Sequence, residues 1–302
     1  MRRKVIQIAD STQLVSLPRK WCKLQNIKKG DELNVEEKGS KVIITTESKF
    51  DIEKIDVDVS DLGVMGRRTV AAAYKAGFDE LRIKYSTTEE LKAIQEVIKD
   101  SCIGFEVVEQ GKNYIVVRKI SDAIFGEFDA VLRRSFLFLI SLAKEGFDAV
   151  QKQDKDTLNN IILMDLNLNK FTDFCRRILN KQGHPKFKRT APLYHIIEML
   201  EKIGDEYKEI HKFFVQNPFK PNKEMVQLYM QINKFVEDFY ELFYKFDTDK
   251  LKRFNTSKDK VDKLLLDAFP KTKKEHLPVI HRLSNVTSRT FDLNGALLAT
   301  TL

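Results

Sequence analysis

From residue 122 onward, the apolar residues of this 302-residue chain recur every three to five positions. Phe125, Phe128, Leu132, Phe136, Leu139, Leu142, Phe147 and Val150 follow one stripe. That spacing puts side chains on one face of an α-helix. It also predicts helices over 158–179 and 193–214, and, after Pro218 and Pro221, over 226–246, 261–269 and 277–298. Six helices in two sets of three, parted by a proline-bearing linker, read as an internal repeat of a three-helix bundle. The longest apolar run, 136–142 (FLFLISL), is far too short to span a bilayer.

The first 46 residues follow a different period. Val5, Ile6 and Ile8 lie in a strand-like run, and Gln13 to Leu17 alternate with period two. Asp10, Ser11 and Thr12 between them are turn residues. Pro18 suits the first turn of a short helix reaching Leu24. A third strand starts at Glu32, Lys38-Gly39-Ser40 turns, and Val42 to Ile44 make a fourth. Four short strands and one small helix bury little core alone, so a shared core with a second copy is expected.

This segment is also basic. Residues 1–46 hold ten Lys and Arg against five Asp and Glu, +5 of the whole-chain +8. Arg2, Arg3, Lys4, Arg19, Lys20 and Lys23 are the candidate DNA contacts. Lys and Arg neutralise phosphates and release counterions, and a dimer doubles the contacts. The alternative is a solubilised dimerisation module. Trp21, the single tryptophan, is expected to pack the short helix rather than stack on a base.

Residues 50–120 alternate element types in the order βαβαββ, a small α/β domain. One helix is expected over 68–76, closed by Gly77, and a second follows an N-cap in 86–90. Gly63, Gly66, Arg67 and Arg68 before the first helix admit two readings: an anion site, or turn glycines beside surface arginines. The expected organisation is 1–48, 49–120, 121–218 and 219–302.

The sharpest local feature is Leu200-Glu201-Lys202-Ile203-Gly204-Asp205. On a helical wheel Glu201 and Asp205 lie about 40° apart, with Glu198 and Glu209 in the same sector, away from the apolar centre. Asp165, Asn169 and Asp173 make a second stripe on the preceding helix. The two stripes either line one groove that could hold a cation or form a solvated face.

Two resemblances follow from these residues. Ser16-Leu17-Pro18-Arg19-Lys20-Trp21 with Asn26-Ile27-Lys28-Lys29-Gly30-Asp31-Glu32-Leu33 resembles the SpoVT/AbrB swapped-hairpin family over residues 2–46. The resemblance implies an interleaved homodimer with a DNA-binding basic face. Residues 200–205 are similar to the LERIGD signature of PhoU-like proteins, and the doubled three-helix repeat fits that family too. This resemblance implies regulation of phosphate uptake. It also implies a divalent or trivalent metal, iron or zinc, on the first bundle. Glu201 and Asp205 match its ExxxD pattern, with Asp165, Asn169, Asp173 and Glu198 around them; Asn169 replaces an acid. In the second repeat His281 and Asn285 stand where Glu201 and Asp205 stand in the first, so no second site is expected.

The fold expected is thus multidomain and mostly α: a swapped-hairpin β-barrel, a small α/β domain and two tandem three-helix bundles. Cys22, Cys102 and Cys175 form no CxxC pair, and the N-terminus lacks a signal-peptide core, which points to the cytoplasm. No nucleophile–base pair, Walker loop or HExxH motif occurs, so enzyme activity is not expected. The function expected is a homodimeric transcriptional regulator of phosphate uptake. Its body would answer to a phosphate transporter's ATPase or a sensor. The alternatives are an adaptor that docks on such a partner without binding DNA, and a metal-binding bundle.

Overall fold

The computed structural model describes residues 2–8, 12–38, 41–46, 52–120 and 127–301. The expected turns at Asp10-Ser11 and Gly39-Ser40, the boundary near 48, and Asp122 and Phe125 of the helical stripe lie outside them. The chain divides into two compact units, Met1–Asp51 and Ile52–Leu302.

The first unit contains two separate antiparallel hairpins with a short helix between them. Strand β1 (Val5–Ile8) pairs with β2 (Thr12–Val15), and β3 (Leu33–Lys38) with β4 (Lys41–Thr46). Helix α1 (Arg19–Leu24) follows Pro18, whose φ of −65° suits a helix start. The Lys28-Lys29-Gly30-Asp31 turn has a local logic. Gly30 sits at φ +98°, a conformation glycine adopts without strain. The Asp31 carboxylate accepts the Lys28 amide at 2.7 Å. None of its described residues is buried. Val5, Ile6, Val15, Leu24, Val35 and Val42 are all more than half exposed, and α1 buries no residue.

The second unit opens with the α/β domain. Its elements are β5 (Lys54–Asp58), α2 (Val64–Ala76), β6 (Glu80–Lys84), α3 (Thr88–Ser101), β7 (Phe105–Gln110) and β8 (Tyr114–Lys119). The sheet order is β5-β6-β8-β7, with β5 parallel to β6 and the other pairs antiparallel. Val57, Leu81, Ile83, Ile115 and Val117 of the sheet pack with Val70, Tyr74, Ile94 and Val97 of the helices. Thr87 and Glu90 form a reciprocal capping box at the start of α3, as the acidic first turn predicts. Helix α2 starts four residues before the expected 68. Gly66 and Arg67 therefore lie inside it; Arg67 pairs with Glu96 at 2.5 Å and Arg68 is exposed.

Six long helices complete the unit: α4 (Phe128–Lys152), α5 (Lys155–Gln182), α6 (Thr190–Gln216), α7 (Lys223–Tyr244), α8 (Thr248–Ala268) and α9 (Leu277–Thr301). Asp154, Asn222 and Asp247 cap α5, α7 and α8 through backbone amides. A single apolar core runs through both sets of three. Helix α8 begins thirteen residues before the expected 261. It buries only Phe254, Val261 and Ala268, and its charged outer face hides the apolar period. Among the described residues no helix is long and apolar enough to cross a membrane.

The two sets meet around a buried polar pair. His211 of α6 is fully buried and its Nε2 lies 3.0 Å from the Tyr229 hydroxyl of α7. Beside it Tyr207 donates to Asn233, which donates to the Ala143 carbonyl of α4. Burial pushes the His211 pKa down to about 3. An unfolded imidazole titrates near 6.5 and takes up a proton that the folded one refuses. His211's share of stability is therefore complete above pH 6.5 and is lost as pH falls toward 3. The slope is at most about 1.4 kcal/mol per pH unit. Urea unfolding at pH 7 and pH 5 reads this directly: His211→Gln is expected to lose less stability over that interval than the unmodified protein.

The α/β domain is fastened to α5 by side chains that cap α2. Arg177 donates to the carbonyls of Tyr74 and Phe78, both at 2.7 Å, and pairs with Asp79 at 3.0 Å. Asn180 donates to the Lys75 carbonyl and Lys181 to that of Gly77. These bonds satisfy the carbonyls that a helix C-terminus leaves open. The Arg177 guanidinium also lies over the rings of Tyr74 and Phe105.

Candidate functional site

Two groups of residues were singled out by the sequence, one in each unit. In the first unit, Arg19, Lys20 and Lys23 lie on α1, and Arg2, Arg3 and Lys4 precede β1; all six are exposed. Trp21 on the same helix is half-buried. The six cations are open to solvent and therefore free to meet an anionic polymer.

In the second unit, α5 and α6 are neighbours, so the two acidic stripes do come together. Their setting differs from the expected exposed face. Asp165 and Asp173 are buried, at 2% and 6% exposure. Asp165 lies between buried Ile161 and Leu168 on the stripe that meets α6, 3.5 Å from where a Cβ on Gly204 would stand. Asp173 is covered by the small domain, whose helices α2 and α3 pack on α5.

The stripe is organised around cations of the chain itself. Arg176, 1% exposed, bonds Asp173 at 2.5 Å and pairs with both Glu198 and Glu201. Thr172 donates to Glu201 at 3.3 Å. Lys75 of α2 lies 3.4 Å from Asp173. One turn along, Lys208 bridges Asp165 and Asp205, both at 2.7 Å. Asn169 donates to Asp165 at 3.2 Å. Beyond these, Glu206 receives Arg282 at 3.0 Å, Arg289 at 2.8 Å and Asn285 at 3.2 Å from α9. Glu209 pairs with Lys212.

The titration directions follow from these contacts. Burial raises Asp165 and Asp173 above the usual carboxylate range despite their cationic partners. Burial also acts to raise Asp205, but Lys208 and Lys202 outweigh it and hold that carboxyl low. Burial disfavours charge on Arg176 and Lys208, yet the acids around each keep it firmly protonated.

A metal does not fit the stripe as placed. The carboxylates of Glu201, Asp205, Asp165, Asp173 and Glu198 are already turned onto Arg176 and Lys208. Among the described residues no group of three or more His, Cys, Asp or Glu is arranged to hold one. His281 is exposed, and Asn285 is engaged with Glu206. Sequence reasoning missed Arg176, Arg177, Lys208, Arg282 and Arg289. For Arg176, Arg177 and Lys208 the available signal was cations interleaved with the acids on α5 and α6, which a search for ligands alone passes over; Arg282 and Arg289 lie on α9 and carry no such signal.

Gly204 completes the stripe's geometry. A Cβ there would lie 2.3 Å from Leu168 Cδ2 on α5, so the glycine lets α5 and α6 approach closely. Leu168 is fully buried and has little room to move. Gly204→Ala is expected to destabilise the protein by about 1–3 kcal/mol, read as a lower urea midpoint with an unchanged slope.

A basic β-hairpin module, an α/β domain and a doubled three-helix body define a MazE/AbrB-type module joined to a body of PhoU fold. The comparisons with known proteins support each part. Residues 6–51 match the profile of the MazE family, described as antidote-toxin recognition, bacterial antitoxin. Among solved structures, the phosphate transport system regulatory protein PhoU from Streptococcus pneumoniae has a similar fold. It is 15% identical with a TM-score of 0.50, over 60% of this chain and 96% of that one. No curated protein matches the chain.

Proposed function

We propose that this chain is a homodimeric, cytoplasmic DNA-binding regulator of phosphate homeostasis. The observation that carries the reading is the first unit, which exposes its apolar strands and its cations together. Val5, Ile6, Ile8, Leu14, Val15, Leu24, Val35, Val42 and Ile43 are each more than a third exposed. A large aliphatic side chain gains about 1.5–3 kcal/mol on burial, so the unit is far more stable with a second copy closed over it. The dimer would present twelve of the named cations, enough for tight, salt-sensitive phosphate contact. The MazE/AbrB-type match supports this role for the head.

The body receives the signal. Its fold is that of a phosphate transport regulator, which supports a phosphate-related input through a transporter ATPase or a sensor protein. A signal that alters DNA affinity must do so as a free-energy difference between two states of the body. The test is genome-wide mapping of bound sites in phosphate-replete and phosphate-starved cells. Occupancy of phosphate-uptake promoters that changes between the two conditions supports the reading, and no enriched sites in either condition overturns it.

One observation favours a second reading. The matched family is described by antidote-toxin recognition. On that reading the head serves dimerisation or protein contact, and the chain is an adaptor that docks on the transporter or sensor.

A further inference from the structure

We infer that the acidic stripe on α5 and α6 is a closed ion-pair network, with Lys208 and Arg176 held where a metal ion would sit, and that it works as a metal-independent fastening of the small domain and the last helix to the first bundle. Three observations carry this. First, every acid of the stripe has a side-chain cation of this chain against it: Arg176 for Asp173, Glu198 and Glu201, Lys208 for Asp165 and Asp205, and Lys212 and Arg282 for Glu209. Second, the network leaves the stripe in two directions. Lys75 carries it through Asp173 into α2 of the α/β domain, and Arg282 carries it from Glu209 into α9, where it shares Glu206 with Asn285 and Arg289. Arg289 also donates to the Lys202 carbonyl of α6, so α9 is tied to backbone as well as to Glu206.

Third, the site around Lys208 is shaped for a cation, and the ammonium fills it incompletely. Asp165 Oδ1 and Asn169 Oδ1 are buried beside Lys208 without a hydrogen-bond partner. With Asp205 they are oxygen donors that a divalent cation such as Zn²⁺ could take once the ammonium is gone. A tethered ammonium of single charge satisfies only some of them. Removing the ammonium would leave the buried Asp165 carboxylate without its cation, which is costly.

Two variants of the full-length protein test this. Purified without chelator, the unmodified protein is expected to carry less than about one-tenth of an equivalent of iron or zinc, and its melting temperature should not change with chelator. Lys208→Met removes the ammonium and keeps its bulk. It should bind Zn²⁺ at least about tenfold more tightly than the unmodified protein, the effect of one opposing charge at close range. Titration calorimetry with Zn²⁺ measures both affinities. Arg176→Lys keeps a cation at the other node and should leave metal content at the unmodified level, which guards against a variant that fails through misfolding. An unmodified protein that retains an equivalent of metal and melts lower after chelation overturns the inference. So does a Lys208→Met protein whose Zn²⁺ affinity equals or falls below that of the unmodified one.

Discussion

Replacing Arg19, Lys20 and Lys23 together with alanine is expected to weaken DNA binding by about a thousandfold or more at moderate salt. The three cations are exposed and lie on a helix of six residues that buries nothing. Their removal therefore leaves the fold alone, and alanine favours the helix. A dimer loses six cations at once. If each meets a phosphate, the dependence of log affinity on log salt flattens by about five. Arg2, Arg3 and Lys4 remain, so weak binding at low salt should survive. Fluorescence anisotropy against a duplex from the protein's own promoter region, with circular dichroism as the fold control, reads both effects. An adaptor that uses its head only for dimerisation keeps partner binding and regulation in the same variant. Loss of DNA binding with loss of regulation separates the two readings.

The second large effect is expected at Arg176. Arg176→Ala removes the cation shared by Asp173, Glu198 and Glu201 and leaves two of the three in a largely buried place. Breaking a buried pair by deleting one partner costs about 3–5 kcal/mol, because the remaining charge cannot reach water. Glu198 is more open and contributes little of this. Asp173 contributes most, since Lys75 alone then faces it. Equilibrium unfolding in urea should show the loss. Lowering the pH to about 4.5 should recover part of it, because burial already favours protonation of Asp173. A loss below about 1 kcal/mol would show that the node is solvated and that the network does not fasten the small domain.

The two apolar periods made most of the architecture legible. The short strand-like runs of the first 46 residues and the helical stripes after 122 correspond to the hairpins and the six long helices. The cap at Thr87 was readable because side-chain capping is local. What stayed hidden depended on contacts between distant residues. The start of α8 was obscured because an outer helix with three buried residues carries little apolar signal. Asp165 shares the buried stripe of Ile161 and Leu168. Asp173, by contrast, sits opposite the apolar centre of α5, and a wheel alone assigns such a position to solvent. Only the docking of α2 and α3 shows that this face is covered. The ligand-like spacing of the acids was visible. The cations that meet them come from α2, α5, α6 and α9, and no linear motif joins Lys75, Arg176, Lys208 and Arg289. His211 is likewise invisible as a core residue until Tyr229, eighteen positions on, is placed against it.

The central claim is that the head binds DNA as a charged dimer. The most direct measurement is the affinity of the full-length protein for its own promoter duplex by fluorescence anisotropy between 50 and 200 mM salt. The account predicts tight binding at the low end and a log–log slope of about −5 or steeper, the signature of at least six phosphate contacts. No measurable affinity for any duplex at low salt would contradict it.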